Sequence, residues 1–142
     1  MALLNYTTQI DVDKTIGEIQ KLLVKRGAKT LMTEYNEGVI AVISFKISVG
    51  ERDMGFRLPC DWRPVLEVMQ NDPNIPRKLK TQFQAVRVAW RIIKDWVEAQ
   101  MALVDTMMVK TEEVFLPYAI MRDGRTLAEH ATSGQLMIGD GN

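Results

Sequence analysis

A chain of 142 residues is long enough to bury a core without disulfide or metal staples, and 46% apolar with 25% charged residues is an ordinary globular balance. Eighteen basic and eighteen acidic residues cancel, which excludes a global basic field that would bind nucleic acid or anionic membrane indiscriminately, so any such binding must come from local clustering. Cys60 stands alone, no stretch approaches a membrane span and MALLNYTTQI lacks a signal pattern, so the expectation is a reduced, cytoplasmic protein with no internal disulfide and no membrane partner.

The chain reads as one domain, 1–142. Residues 1–12 read as an extended arm, with Tyr6, Thr8 and Ile10 alternating against Thr7 and Gln9. Thr15 and Glu18 fit a capping box, Ile16, Ile19, Leu22 and Leu23 form an apolar stripe, and Gly27 suits a left-handed helix end, so a helix is predicted over 15–26. The period then falls to two, predicting strands at 29–35, 39–49 and 53–58. In the second strand Val39, Ala41, Ile43, Phe45, Ile47 and Val49 share one face and Ser44, Lys46 and Ser48 the other; in the third, Met54, Phe56 and Leu58 point inward and Arg57 outward. A turn at Asn36, Glu37 and Gly38 and a loop at Gly50 and Glu51 are short, so the three strands form an antiparallel meander covered on one face by helices.

Pro59 stops the third strand, Asp61 caps a short helix and NDPNIP (71–76) is a loop. Thr81–Met108 carries the strongest periodicity: Val86, Ala89, Trp90, Ile93, Trp96, Val97, Gln100, Leu103, Val104 and Met107 recur at helical spacing, and Thr81 with Gln84 fits a capping box. Thr111 caps a short turn that Pro117 disrupts, Thr126 and Glu129 form a box for a helix ending near Gly134, and residues 135–142 are expected to fray. The predicted class is α+β: an N-terminal helix, a three-stranded antiparallel meander, a short helix, one long amphipathic helix and a short helical tail.

Catalytic signatures are missing from the sequence. His130 is the sole histidine, a lone Cys and a lone His cannot build a zinc site, and GERDMG has neither the spacing nor the context of a phosphate loop. No enzyme activity, cofactor or metal is therefore expected. One asymmetry stands out: Pro73–Lys94 holds Arg77, Lys78, Lys80, Arg87, Arg91 and Lys94 and no acid. These cations surround the start of the long helix, where the macrodipole already disfavours positive charge. Such a cluster suggests an anion site, extended by Arg57 and Lys46 from the sheet if the sheet edge lies nearby, with Trp62 as a candidate stacking ring. Lys14 and Lys21, on the first helix, stand apart from it in sequence, and changing them is expected to do little to binding.

GFRLP (55–59), VAWRIIKDWVEAQMALV (88–104) and EEVFLPYA (112–119) resemble segments of small uncharacterised proteins encoded by bacteriophages, prophages and related mobile elements, over roughly Thr15 to Ala131. The resemblance implies a phage or prophage origin and carries over no catalytic residue. The functional expectation is a non-enzymatic, self-associating binding protein that takes single-stranded nucleic acid along the basic cluster. The alternative is a host-directed protein that binds a bacterial protein or sequesters a small anionic signalling molecule.

Overall fold

The computed structural model describes residues 2–134; the predicted fraying of 135–142 lies outside them. The elements are α1 (Val12–Lys25), β1 (Thr30–Asn36), β2 (Val39–Val49), β3 (Arg52–Arg57), α2 (Trp62–Asn71), α3 (Gln82–Asp105), α4 (Thr111–Val114) and α5 (Leu127–Thr132), with 3-10 turns at Arg77–Leu79 and Leu116–Tyr118. This is the α+β order expected from the sequence. Two compact units form: the N-terminal segment to Lys25 with Pro59–Ala102, and Arg26–Leu58 with the described chain from Leu103 to Gly134.

In the first unit the N-terminal segment is not an extended strand. Residues 4–7 form a turn with Asn5 at φ 67°, and the buried Gln84 amide donates to the carbonyls of Tyr6 and Thr8, both at 2.9 Å. Gln84 therefore completes only half of its expected capping box: its N–H donates to the Thr81 hydroxyl at 3.1 Å, while its side chain serves the N-terminal segment. Likewise α1 starts before Thr15, whose N–H bonds back to the Asp11 carbonyl at 3.2 Å. Thr15 is thus an internal, buried helix residue, not a cap.

Met69 of α2, Ile75, and Ala85 and Val88 of α3 form a buried cluster, against which Leu3, Tyr6, Trp62, Val65, Leu66, Leu79 and Ile92 pack. This cluster overturns one expectation: Trp62 is a half-buried packing residue, not an exposed ring. Val88 and Ile92 find their partners within the same unit. Asp61 caps α2 as predicted, accepting the Arg63 N–H at 3.0 Å.

The second unit holds the sheet, in the order β1-β2-β3 with both pairings antiparallel. Glu37 (φ 52°) and Gly38 (φ 79°) form a two-residue hairpin loop with both φ positive, the type I′ geometry whose twist matches the strands. The register then shifts: Glu34 lies opposite Val42 but Tyr35 opposite Ile40, leaving Ala41 as a bulge. An extra residue reverses the alternation beyond it, so Ile40, instead of Val39 and Ala41, is buried like Ile43, Phe45 and Ile47.

Phe45, its cross-strand partner Phe56, and Phe115 beyond α4 make an aromatic triad with centroids 5.3 to 6.3 Å apart. From there the chain follows the free edge of β3, where the Ile120 N–H bonds to the Gly55 carbonyl at 2.8 Å. The capping box at Thr126 and Glu129 is present as predicted. Thr111, by contrast, is the first residue of α4, and the Lys110 N–H is taken by the Glu113 carboxylate at 3.0 Å. The long helix ends at Asp105, short of the predicted Met108; Met107 is left-handed (φ 64°) and 90% exposed, outside the helical stripe.

Candidate functional site

The cations of 73–94 divide by their partners. Arg77 and Lys78 are exposed in the 3-10 turn, and the Lys80 ammonium reaches the Gln70 carbonyl at 3.4 Å. Arg87 pairs with Asp11 at 2.8 Å, Arg91 with Glu18 at 2.7 Å, and Lys94 with Glu98 at 2.6 Å. Arg91 also approaches the buried Thr15 hydroxyl at 3.4 Å, and its side chain is only 12% exposed. The acids missing between Pro73 and Lys94 are thus supplied by Asp11 just before α1, Glu18 on α1 and Glu98 further along α3.

Asp11 meets Arg87 and Glu18 meets Arg91, so α1 and α3 run side by side in the same direction. Each presents a stripe at three- and four-residue spacing: Asp11, Lys14, Glu18, Lys21 and Lys25 on one, and Phe83, Arg87, Arg91, Lys94 and Glu98 on the other. Two grooves of unlike charge lie along this seam. The first, about 360 Å³, is lined by Asp11, Val12, Asp13, Lys14, Phe83 and Arg87, two cations against two acids. The second, about 350 Å³, is lined by Glu18, Lys21, Leu22, Lys25, Arg91, Lys94 and Glu98, four cations against two acids. Lys21 and Lys25 are exposed, and no acid among the described residues pairs with them.

The cations expected from the sequence on α3 share this seam with Lys14, Lys21 and Lys25 of α1, which lie outside the run 73–94. The periodicity of Lys14, Lys21 and Lys25 is readable in the sequence; the pairing of Asp11 with Arg87 and of Glu18 with Arg91, more than seventy positions apart, is not. Phe83 was also missed. It is 68% exposed on the α3 stripe, with the Arg87 guanidinium carbon 4.3 Å from its ring centroid.

Arg57, expected to extend the patch, lies in the second unit. It donates to the Gly124 carbonyl at 2.8 Å and pairs with Glu129 at 3.5 Å, so it ties the tail to β3. Lys46 is exposed on β2. His130 contacts Asp123 at 3.0 Å; the Asp123 carboxyl is held below its ordinary range first by the Arg125 N–H and then by His130. Glu129 is lowered in the same way by the Thr126 N–H and hydroxyl. These groups are occupied in closing the tail.

Burial, with a smaller contribution from Asp61, pushes the Cys60 thiol up to about 12. A thiol so poised stays protonated near neutral pH and is a poor nucleophile. Among the described residues, no group of three or more His, Cys, Asp and Glu side chains is placed to hold a metal ion, and no helix is long and apolar enough to cross a membrane. Comparisons with family models, curated proteins and solved structures find no match.

Proposed function

We propose that the protein is a non-enzymatic binding protein of the phage or prophage type its sequence resembles, and that it holds the phosphate backbone of a nucleic acid in the second α1–α3 groove. The observation that carries this is the charge of that groove: Lys21, Lys25, Arg91 and Lys94 against Glu18 and Glu98, with Lys21 and Lys25 in no ion pair among the described residues. Phosphate oxygens meet lysine ammonium groups without first breaking an ion pair, and each neutralised phosphate releases counterions. Arg77, Lys78 and Lys80 continue the positive charge before α3.

The test is the salt dependence of oligonucleotide binding by the intact protein. Four single-strand phosphate contacts at about 0.7 each predict a log–log slope near −2.8, hence about a fiftyfold loss of affinity between about 50 and 200 mM NaCl. Absence of binding at the lower salt would reject the proposal.

A small anionic ligand in the same groove is the second reading, favoured by a volume near 350 Å³, inside the roughly 300–1,000 Å³ range of small-molecule sites. Oligonucleotide length separates the two, since affinity rises with length for a strand and not for one bound phosphate group. Self-association belongs to the proposal too, resting on the exposed Leu103, Met107 and Met108. Sedimentation at micromolar concentration is expected to give a dimer or larger, and a single 16.2 kDa species would exclude it.

A further inference from the structure

We infer that Phe83 is a stacking platform for an unpaired base, which makes the ligand single-stranded; this rests on the backbone-binding proposal for the neighbouring groove. Phe83 stands at the start of the stripe that continues through Arg87, Arg91 and Lys94, and it is 68% exposed. A phenylalanine left in water at that level loses the burial that ordinarily favours it. Arg87 is fixed against the ring at 4.3 Å and held by Asp11 at 2.8 Å, so the ring and its cation form a preset surface.

Unlike charge in the two grooves assigns different parts of a nucleotide to each. The groove at Phe83 balances Lys14 and Arg87 against Asp11 and Asp13, so it offers a phosphate no net attraction, whereas a neutral base has an aromatic ring to stack on and carboxylates that accept from amino groups. The groove at Arg91 and Lys94 carries the excess positive charge and suits the backbone. About 17 Å of α3 separates Phe83 from Lys94, beyond the reach of one small anion, but a strand with a phosphate every few ångströms covers it. A duplex keeps its bases stacked inside and cannot present one to Phe83 without paying to flip it out.

Three probes of equal length test this: an oligothymidylate, an abasic strand with the same phosphates, and a duplex. The wild type is expected to prefer the oligothymidylate to both others. Phe83→Leu is expected to weaken oligothymidylate binding about 5- to 150-fold, the loss of one stacked base, and to leave abasic binding within about twofold. Phe83→Trp, which keeps an aromatic face, should retain wild-type affinity. Equal wild-type affinity for the oligothymidylate and the abasic strand, no effect of Phe83→Leu, or a loss in Phe83→Trp as large as in Phe83→Leu would overturn stacking while the backbone proposal stands. Failure of the wild type to bind either single strand would overturn both.

Discussion

Changing Lys21, Lys25 and Lys94 together to Gln is expected to weaken single-strand binding several hundredfold at low salt. Three lost phosphate contacts reduce the log–log slope by about 2.1, and at about 50 mM NaCl that slope corresponds to a factor near 500 relative to a 1 M reference. The fold is expected to survive. Lys21 and Lys25 are exposed and join no ion pair among the described residues, and Lys94 gives up chiefly its pairing with Glu98 one turn along α3, a type of pair worth about 0.3–0.5 kcal/mol. Arg91 is deliberately spared, because truncating it would strand Glu18 and remove a link between α1 and α3. As a control, Arg52→Gln with Arg122→Gln removes two exposed cations of the second unit and is expected to leave affinity within about twofold. Fluorescence anisotropy across a salt series reads both outcomes. A triple variant that binds like the wild type would show that the groove is not the site.

The largest stability loss is expected from Phe115→Ala. Phe115 is fully buried, edge-on to Phe45 at 5.3 Å and tilted against Phe56 at 6.3 Å, so truncation removes two ring contacts and opens a cavity beside the sheet. Deleting a buried Phe side chain costs about 3–5 kcal/mol, and at roughly 2–4 °C per kcal/mol for a chain of this size the unfolding midpoint should fall by about 10 °C. Phe115→Leu keeps most of the volume and is expected to cost less than half as much. Denaturant unfolding followed by circular dichroism measures both. A loss under about 1 kcal/mol for the Ala variant would mean that the C-terminal segment does not depend on the triad.

The elements were legible where one strong local rule governed them. Gly27 at φ 104° closes the segment after α1, Asp61 caps α2, and Thr126 with Glu129 caps α5, each as its residue type demands. What failed were local rules overridden by distant partners. Thr15 had the look of a cap, but the chain enters the helix earlier and buries it; Gln84 had the look of a box residue, but its amide is recruited by Tyr6 and Thr8. The bulge at Ala41 breaks alternation without a Gly or Pro to announce it.

For the candidate site, the α3 half was legible as an acid-free run, because three- and four-residue spacing places Arg87, Arg91 and Lys94 on one face. The meaning of that run was not, because Arg87 and Arg91 are matched by Asp11 just before α1 and Glu18 on it, and the net charge shifts toward Lys21 and Lys25. A pairing across more than seventy residues leaves no trace in a single sequence. Phe83 escaped notice for a related reason: its place on the helix was readable, but its exposure depends on where α1 lies.

The central claim, that the α1–α3 seam is the binding surface, is tested most directly by mapping amide chemical shifts of the intact protein while a single-stranded oligonucleotide is titrated in at low salt. The predicted result is saturable shifts concentrated on Lys21, Lys25, Phe83, Arg91, Lys94 and their neighbours. Shifts confined to the second unit, around Lys46 and Arg57, or no shifts at all, would contradict it.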